Sequence, residues 1–228
     1  MKLPRPSHLS LLLALFSTFL SASGFCSGIY IVRHGEGEQN VLKFFNSNPK
    51  NKNYREVHLT EAGKEQAAST ARKLASQGLS GKNISAVYVS PLPRAKETAG
   101  ILSQILGVAS AKIKETDAVI ETDFGKYEGT KYSDFPWDIY DHSHASEYGG
   151  ETYGDVQKRV RVFMDKLLRR CDRNANILIV THGEPATAIG EYITGVKKDM
   201  IKTGESVEFS WDTVYSGPTA LLCKGKLR

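Results

Sequence analysis

The chain is poor in cysteine, and the three it holds fit no reactive or metal-binding pattern. Cys26, Cys171 and Cys223 match no zinc spacing. None is followed by an arginine six positions later, which excludes a thiol-based phosphatase. The Gly-x-x-x-x-Gly-Lys loop that cradles nucleotide phosphates is missing, as is the Gly-x-Ser-x-Gly turn of serine hydrolases. No apolar run is long enough to cross a bilayer comfortably. The lysines are scattered rather than clustered, so nucleic-acid binding is not the main role. There is no internal repeat and no low-complexity stretch.

What is present has the composition of an ordinary globular protein. With 228 residues, 40% hydrophobic and 24% charged, the chain suffices for one domain with a sizeable core. Its start stands apart. Lys2 and Arg5 precede the apolar run Leu9 to Leu20, and the small residues Ala22-Ser23-Gly24 follow. That is the layout of a secretory signal peptide cut before Phe25. The expectation is a leader over residues 1–24 and one domain over residues 25–228, secreted or periplasmic, with no membrane span once the leader is removed. Loss of Lys2 and Arg5 lowers the formal charge of +5 by two. In an exporting compartment the sequence leaves a Cys171–Cys223 disulfide open. Asn83-Ile84-Ser85 is a glycosylation acceptor only in a eukaryotic secretory pathway.

Short β-branched runs alternate with longer helical patterns, which predicts a three-layer α/β/α sandwich around a mostly parallel sheet. Gly28 to Val32, Ala86 to Val89 and Ile177 to Val180 read as buried strands. Helices are expected after Thr60, with Ala67, Ala71, Leu74, Ala75 and Gly78 on one face, and after Pro93, with Ala95, Thr98, Ala99, Leu102, Ile105 and Leu106 inward. A capping box at Thr152-x-x-Asp155 opens a long helix, and Pro185 opens another. Last strands are expected near Val207 to Trp211 and Thr219 to Cys223. Residues 41–57 and 124–150 lack a period and read as excursions over the site.

The informative fact is where the strands end. The first runs into Arg33-His34-Gly35-Glu36, the second into Ser90-Pro91-Leu92-Pro93-Arg94, and the central one into Thr181-His182-Gly183-Glu184-Pro185. In open α/β sheets ligands bind beyond the carboxyl ends of the strands. Two arginines and two histidines therefore converge on one place. The guanidinium fork matches phosphate oxygens, and a helix N-terminus adds N–H donors. A metal would be repelled by the arginines, so neither metal nor cofactor is expected. These ends describe a site for a tetrahedral phosphoryl dianion.

Ile31-Val32-Arg33-His34-Gly35-Glu36, with Asn40 six residues after His34, resembles the signature of the histidine phosphatase superfamily, which includes the cofactor-dependent phosphoglycerate mutases. The resemblance continues through Leu59-Thr60-Glu61-Ala62-Gly63, Ser90-Pro91-Leu92-Pro93-Arg94-Ala95, Glu121 with Phe124 to Gly129, Gly149-Gly150-Glu151-Thr152 and Thr181-His182-Gly183-Glu184. It implies that His34 attacks phosphorus and becomes a phosphohistidine. Arg33, Asn40, Arg94 and His182 would bind the phosphoryl oxygens, and Glu121 would serve as acid and then base. Asp123 and Glu128 remain alternatives for that acid. Asn40 could equally be a helix cap, and Arg94 could pair with Glu97 at the surface. His58 is expected to be exposed, and His142-x-His144 to be a polar loop rather than a metal pair. The expected activity is hydrolysis of small phosphomonoesters. Its rivals are a mutase of the same fold, for which the Arg pair that would hold a glycerate carboxylate is absent, and an idle member that only binds phosphorylated ligands. Oligomeric state is not legible.

Overall fold

The computed structural model describes residues 28–136, 145, 147–170 and 174–216. The expected leader, all three cysteines, His142, His144 and the strand expected over residues 219–223 lie outside the described residues.

The elements in order are β1 (Gly28–Arg33), α1 (Glu38–Leu42), α2 (Glu61–Ser76), β2 (Ile84–Val89), α3 (Pro93–Leu106), β3 (Ile113–Glu115), α4 (Tyr153–Arg170), β4 (Asn176–Thr181), α5 (Gly183–Thr194), β5 (Ser206–Ser210) and α6 (Trp211–Ser216). The sheet runs β3-β2-β4-β1-β5. The first four strands are parallel, and β5 closes the edge antiparallel to β1.

Alternation along the two central strands builds the layers. Successive side chains point to opposite faces of a strand. On β1 and β4, Ile29, Ile31, Ile177 and Ile179 enter one core with Val156, Val160 and Met164 of α4 and Ile189 and Ile193 of α5. The intervening Tyr30, Val32, Leu178 and Val180 enter the other, with Ala71 and Leu74 of α2 and Ala95, Ala99 and Leu102 of α3. Burial on both faces explains why β4 reads as an unbroken apolar run. Each buried Val, Leu, Ile or Met among them contributes about 1.5–3 kcal/mol.

Local signals set the helix ends. The Thr60 side chain accepts from the Gly63 N–H at 3.0 Å and starts α2. The Thr152 hydroxyl accepts from the Asp155 N–H, while Asp155 accepts from the Thr152 N–H, closing the box that opens α4. Two expected inward residues point outward: Ala75 is exposed, and so is Ile105. Thr70 is buried instead, and its hydroxyl donates to the Gly204 carbonyl.

The two excursions form a unit of their own. Phe44 bridges to Lys131, the Phe45 N–H donates to the Thr130 carbonyl at 3.0 Å, and the Gly129 N–H donates back to Phe45 at 2.9 Å. The Phe45 ring packs against Phe124, Tyr132 and Phe135. Glu128, fully buried, accepts from the Ser47 N–H at 2.8 Å, from the Ser47 hydroxyl, and from the Phe124 N–H at 3.2 Å. Among the described residues no helix is long and apolar enough to cross a membrane.

Candidate active site

The strand ends expected to converge do so. β1 and β4 pair in register with Arg33 opposite Thr181, so the next residues, His34 and His182, are neighbours with ring centroids 4.9 Å apart. The His34 N–H donates to the Thr181 carbonyl at 2.9 Å, and the Ser90 N–H donates to Val180 at 3.1 Å, which ties the ends of β1 and β2 to β4. Gly35 follows because nothing larger fits: a Cβ there would stand 2.2 Å from the Gly63 carbonyl oxygen.

His34 is held in one tautomer. Its Nδ1 lies 2.6 Å from the Gly35 carbonyl, so Nδ1 carries the proton and donates. The lone pair is then on Nε2, which accepts from Arg94 Nε at 3.2 Å. Burial first, and then the charge of Arg94, hold His34 well below the ordinary histidine value, against the opposing Gly35 bond. His182 is depressed in the same way, by burial and then by Arg94. Its Nε2 lies 2.7 Å from the Ser90 hydroxyl, which already accepts from the Leu92 N–H. A hydroxyl donating to Nε2 leaves the proton on Nδ1, and Nδ1 is buried without a partner.

Arg94 is no surface residue. It is 2% exposed, at the start of α3, and Glu97 instead accepts from the exposed His58 and from the Leu59 N–H. Arg94 Nη1 and Arg33 Nε are both buried without partners, while Arg33 Nη1 donates to the Ile201 carbonyl at 2.8 Å. Buried polar groups are almost always paired, so unpaired cationic donors beside a histidine lone pair describe a place for an anion.

Arg33, His34, Asn40, Arg94 and Glu121 line one cleft of about 270 Å³. Asn40 serves as a cap, its carboxamide oxygen accepting from the Gly37 N–H at 3.0 Å, and it also lines the cleft. Of the three carboxylates considered together, Glu121 alone lines it. Its oxygens accept from the Thr122 N–H at 3.0 Å and from the Gly183 N–H of α5 at 3.2 Å. Asp123 is turned to Asn48 and to the Gly125 N–H, and Glu128 to Ser47 and Phe124.

The sequence reading assigned no role to Ser90, nor to Glu184 in the first turn of α5. Glu184 also lines the cleft and accepts from the Thr122 hydroxyl at 2.5 Å. Burial, with Glu121 second, pushes it up to about 7. An acid in the first turn of a helix reads as complementing the helix dipole, which hides such a residue. The rings of Phe45, Phe124 and Tyr132 complete one wall.

A parallel-sheet sandwich with paired histidines and two arginines at its strand ends, one of them fully buried, is an architecture suited to phosphoryl transfer. Residues 29–214 match the model of the histidine phosphatase superfamily (branch 1), and the chain belongs to that family. Among its relatives, phosphoserine phosphatase 1 of Hydrogenobacter thermophilus is 31% identical over 180 residues, 74% of this chain and 76% of that one. The 2,3-bisphosphoglycerate-dependent phosphoglycerate mutase of Methylorubrum populi is 27% identical over 186 residues, covering 78% of this chain and 84% of its own. The fold is also that of a mycobacterial glucosyl-3-phosphoglycerate phosphatase solved with VO3, with a TM-score of 0.64 at 20% identity over 81% of this chain and 92% of that one.

Proposed function

We propose that the protein is an exported, metal-independent phosphomonoester hydrolase that works through a phosphohistidine on His34. The observation that carries this reading is the state of His34: a buried, neutral ring whose proton is fixed on Nδ1 and whose Nε2 lone pair faces a buried arginine. In the first step Nε2 bonds to phosphorus as the ester P–O bond breaks, and Glu121 gives its proton to the departing oxygen. Arg33, Arg94, the Asn40 NH2 and His182 Nδ1–H bind the non-bridging oxygens and stabilise charge on them. In the second step water attacks phosphorus and loses its proton to Glu121. The P–N bond breaks, and inorganic phosphate leaves with His34 neutral again. The two guanidiniums supply the positive charge that a metal would otherwise bring.

Hydrolysis is favoured over mutase chemistry because a mutase must also hold the carboxylate of its substrate. Among the described residues, Arg33 and Arg94 are the only cations lining the cleft, and both belong to the phosphoryl end. The relatives include both a phosphatase and mutases. The test is turnover of para-nitrophenyl phosphate with and without EDTA, together with trapping of the enzyme after a brief pulse of labelled substrate. Turnover should survive EDTA, and label should appear as an acid-labile adduct on His34. His34→Ala should lose several powers of ten in rate. Near-normal rates in His34→Ala, or complete loss with EDTA, would refute the reading.

A further inference from the structure

We propose that the alcohol released from the ester carries a positive charge, and that this amino-alcohol end is held between Glu184 and the aromatic wall of the cleft. This substrate class presupposes the phosphatase chemistry above and concerns the same site. In-line attack by His34 Nε2 sends the leaving oxygen to the side opposite the nucleophile. His34 lines the cleft and is only 2% exposed, so the leaving group faces the remaining lining. The phosphoryl end is separately provided for: Arg94 lines the same cleft, equally buried, with Nη1 unpartnered.

The rest of the lining suits a cation. It holds the carboxyl groups of Glu121 and Glu184 and the rings of Phe45, Phe124 and Tyr132. The Phe45 ring centroid lies 4.0 Å from that of Phe124 and 4.7 Å from that of Tyr132, so the three rings make one surface. A carboxylate or second phosphate on the leaving group would meet two carboxyls in a partly desolvated space whose lining cations, Arg33 and Arg94, are engaged by the phosphoryl group. An ammonium group would meet a carboxylate and the negative faces of aromatic rings. The Thr122 hydroxyl, donating to Glu184 Oε2, pins that carboxyl in place. The groups that face Glu184 are Glu121 and Thr122 of the segment after β3, Glu151 and Tyr153 at the start of α4, and Lys197 beyond α5. Because Glu184 sits at about 7, raising the pH from 6 to 8 ionises it and strengthens its hold on a cation.

The experiment compares kcat/KM, measured by phosphate release, for phosphocholine, phosphoethanolamine, glycerol 3-phosphate and 3-phosphoglycerate, whose leaving oxygens are all ordinary alkoxides. Para-nitrophenyl phosphate serves as the control for chemistry. The amino-alcohol esters should exceed glycerol 3-phosphate by about tenfold, with 3-phosphoglycerate below both. That ratio, with each ester's rate referred to its own phosphate dianion, should rise between pH 6 and 8. Glu184→Gln should flatten the pH dependence and remove most of the preference. Tyr132→Leu should weaken the preference without altering its pH dependence. Turnover of para-nitrophenyl phosphate with no preference for the amino-alcohol esters, or with 3-phosphoglycerate preferred, overturns the substrate class alone. No turnover of any ester overturns the phosphatase reading and this inference with it.

Discussion

Glu128 is the residue whose replacement should most clearly separate holding the cleft together from doing chemistry in it. It is fully buried and accepts three donors, two from Ser47 and one from the Phe124 N–H. Glu128→Gln keeps the volume but turns one oxygen into an NH2. Placed on the Oε2 side, that NH2 meets the Ser47 N–H; placed on the Oε1 side, it meets the Phe124 N–H. Either way one buried backbone donor loses its acceptor, at about 1–3 kcal/mol, and the remaining bonds lose their charge assistance, so the cost is about 2–4 kcal/mol. The partners all lie in the two excursions, so the loss should appear as local opening rather than global unfolding. Opening should become about thirtyfold to a thousandfold more frequent. Hydrogen exchange read by NMR should show the amides of Phe45, Ser47, Phe124 and Gly129 losing protection, with Leu178 and Ile179 in β4 unchanged. Because Phe45, Ser47 and Phe124 line the cleft, KM should rise more than kcat falls. Unaltered exchange at Ser47 and Phe124, or equal loss throughout β4, would refute the clamp. A defect confined to alkyl esters would instead make Glu128 the acid.

For Glu121, replacement by Gln should slow alkyl phosphates far more than para-nitrophenyl phosphate, because nitrophenolate needs no proton to leave; Asp123→Asn showing that selectivity instead would reassign the acid. His34 and His182 lie well below the unfolded histidine value, so below pH 6.5 the unfolded state gains protons first, and stability should fall by about 1.4 kcal/mol per pH unit for each. Glu184, raised to about 7, opposes this between pH 7 and its unfolded value near 4.5, so chemical denaturation of Glu184→Gln should show a steeper acid limb than the wild type; an identical slope would contradict the cited shifts. Sequencing of exported material should begin near Phe25, and a start at Met1 would remove the leader.

The core of the site was legible because strand ends announce themselves. A β-branched run stopped by Gly or Pro marks the places of Arg33, His34, Arg94 and His182 in the sequence itself. The choice among Glu121, Asp123 and Glu128 was not legible in the same way. All three fall in an aperiodic stretch, and what separates them is which tertiary donors each one meets. The wall of Phe45, Phe124 and Tyr132 was hidden for the same reason, since excursions without a period give no inward face to read. Helix faces were legible to within a residue: Ala75 and Ile105 point outward because a straight helix drifts away from a repeating pattern by its end. Strand β3 escaped notice because three residues, two of them exposed, make too short a run to stand out.

The spacing of the backbones that carry His34 and His182 is set by strand pairing rather than by their side chains. Their ring centroids stand 4.9 Å apart, which is the spacing between neighbouring strands of any sheet. The peptide hydrogen bonds of β1 and β4 thus act as the ruler for the pair, and both rings are carried at the same mark. Substitutions in the cores above and below the sheet can change volume and stability without rescaling that distance. The pair is vulnerable only to a slip in strand pairing. A one-residue slip would set one histidine beside the glycine that follows the other, Gly35 or Gly183, and would turn the side chains of the slipped strand to the opposite faces. Wherever this register folds at all, the two imidazoles arrive already spaced.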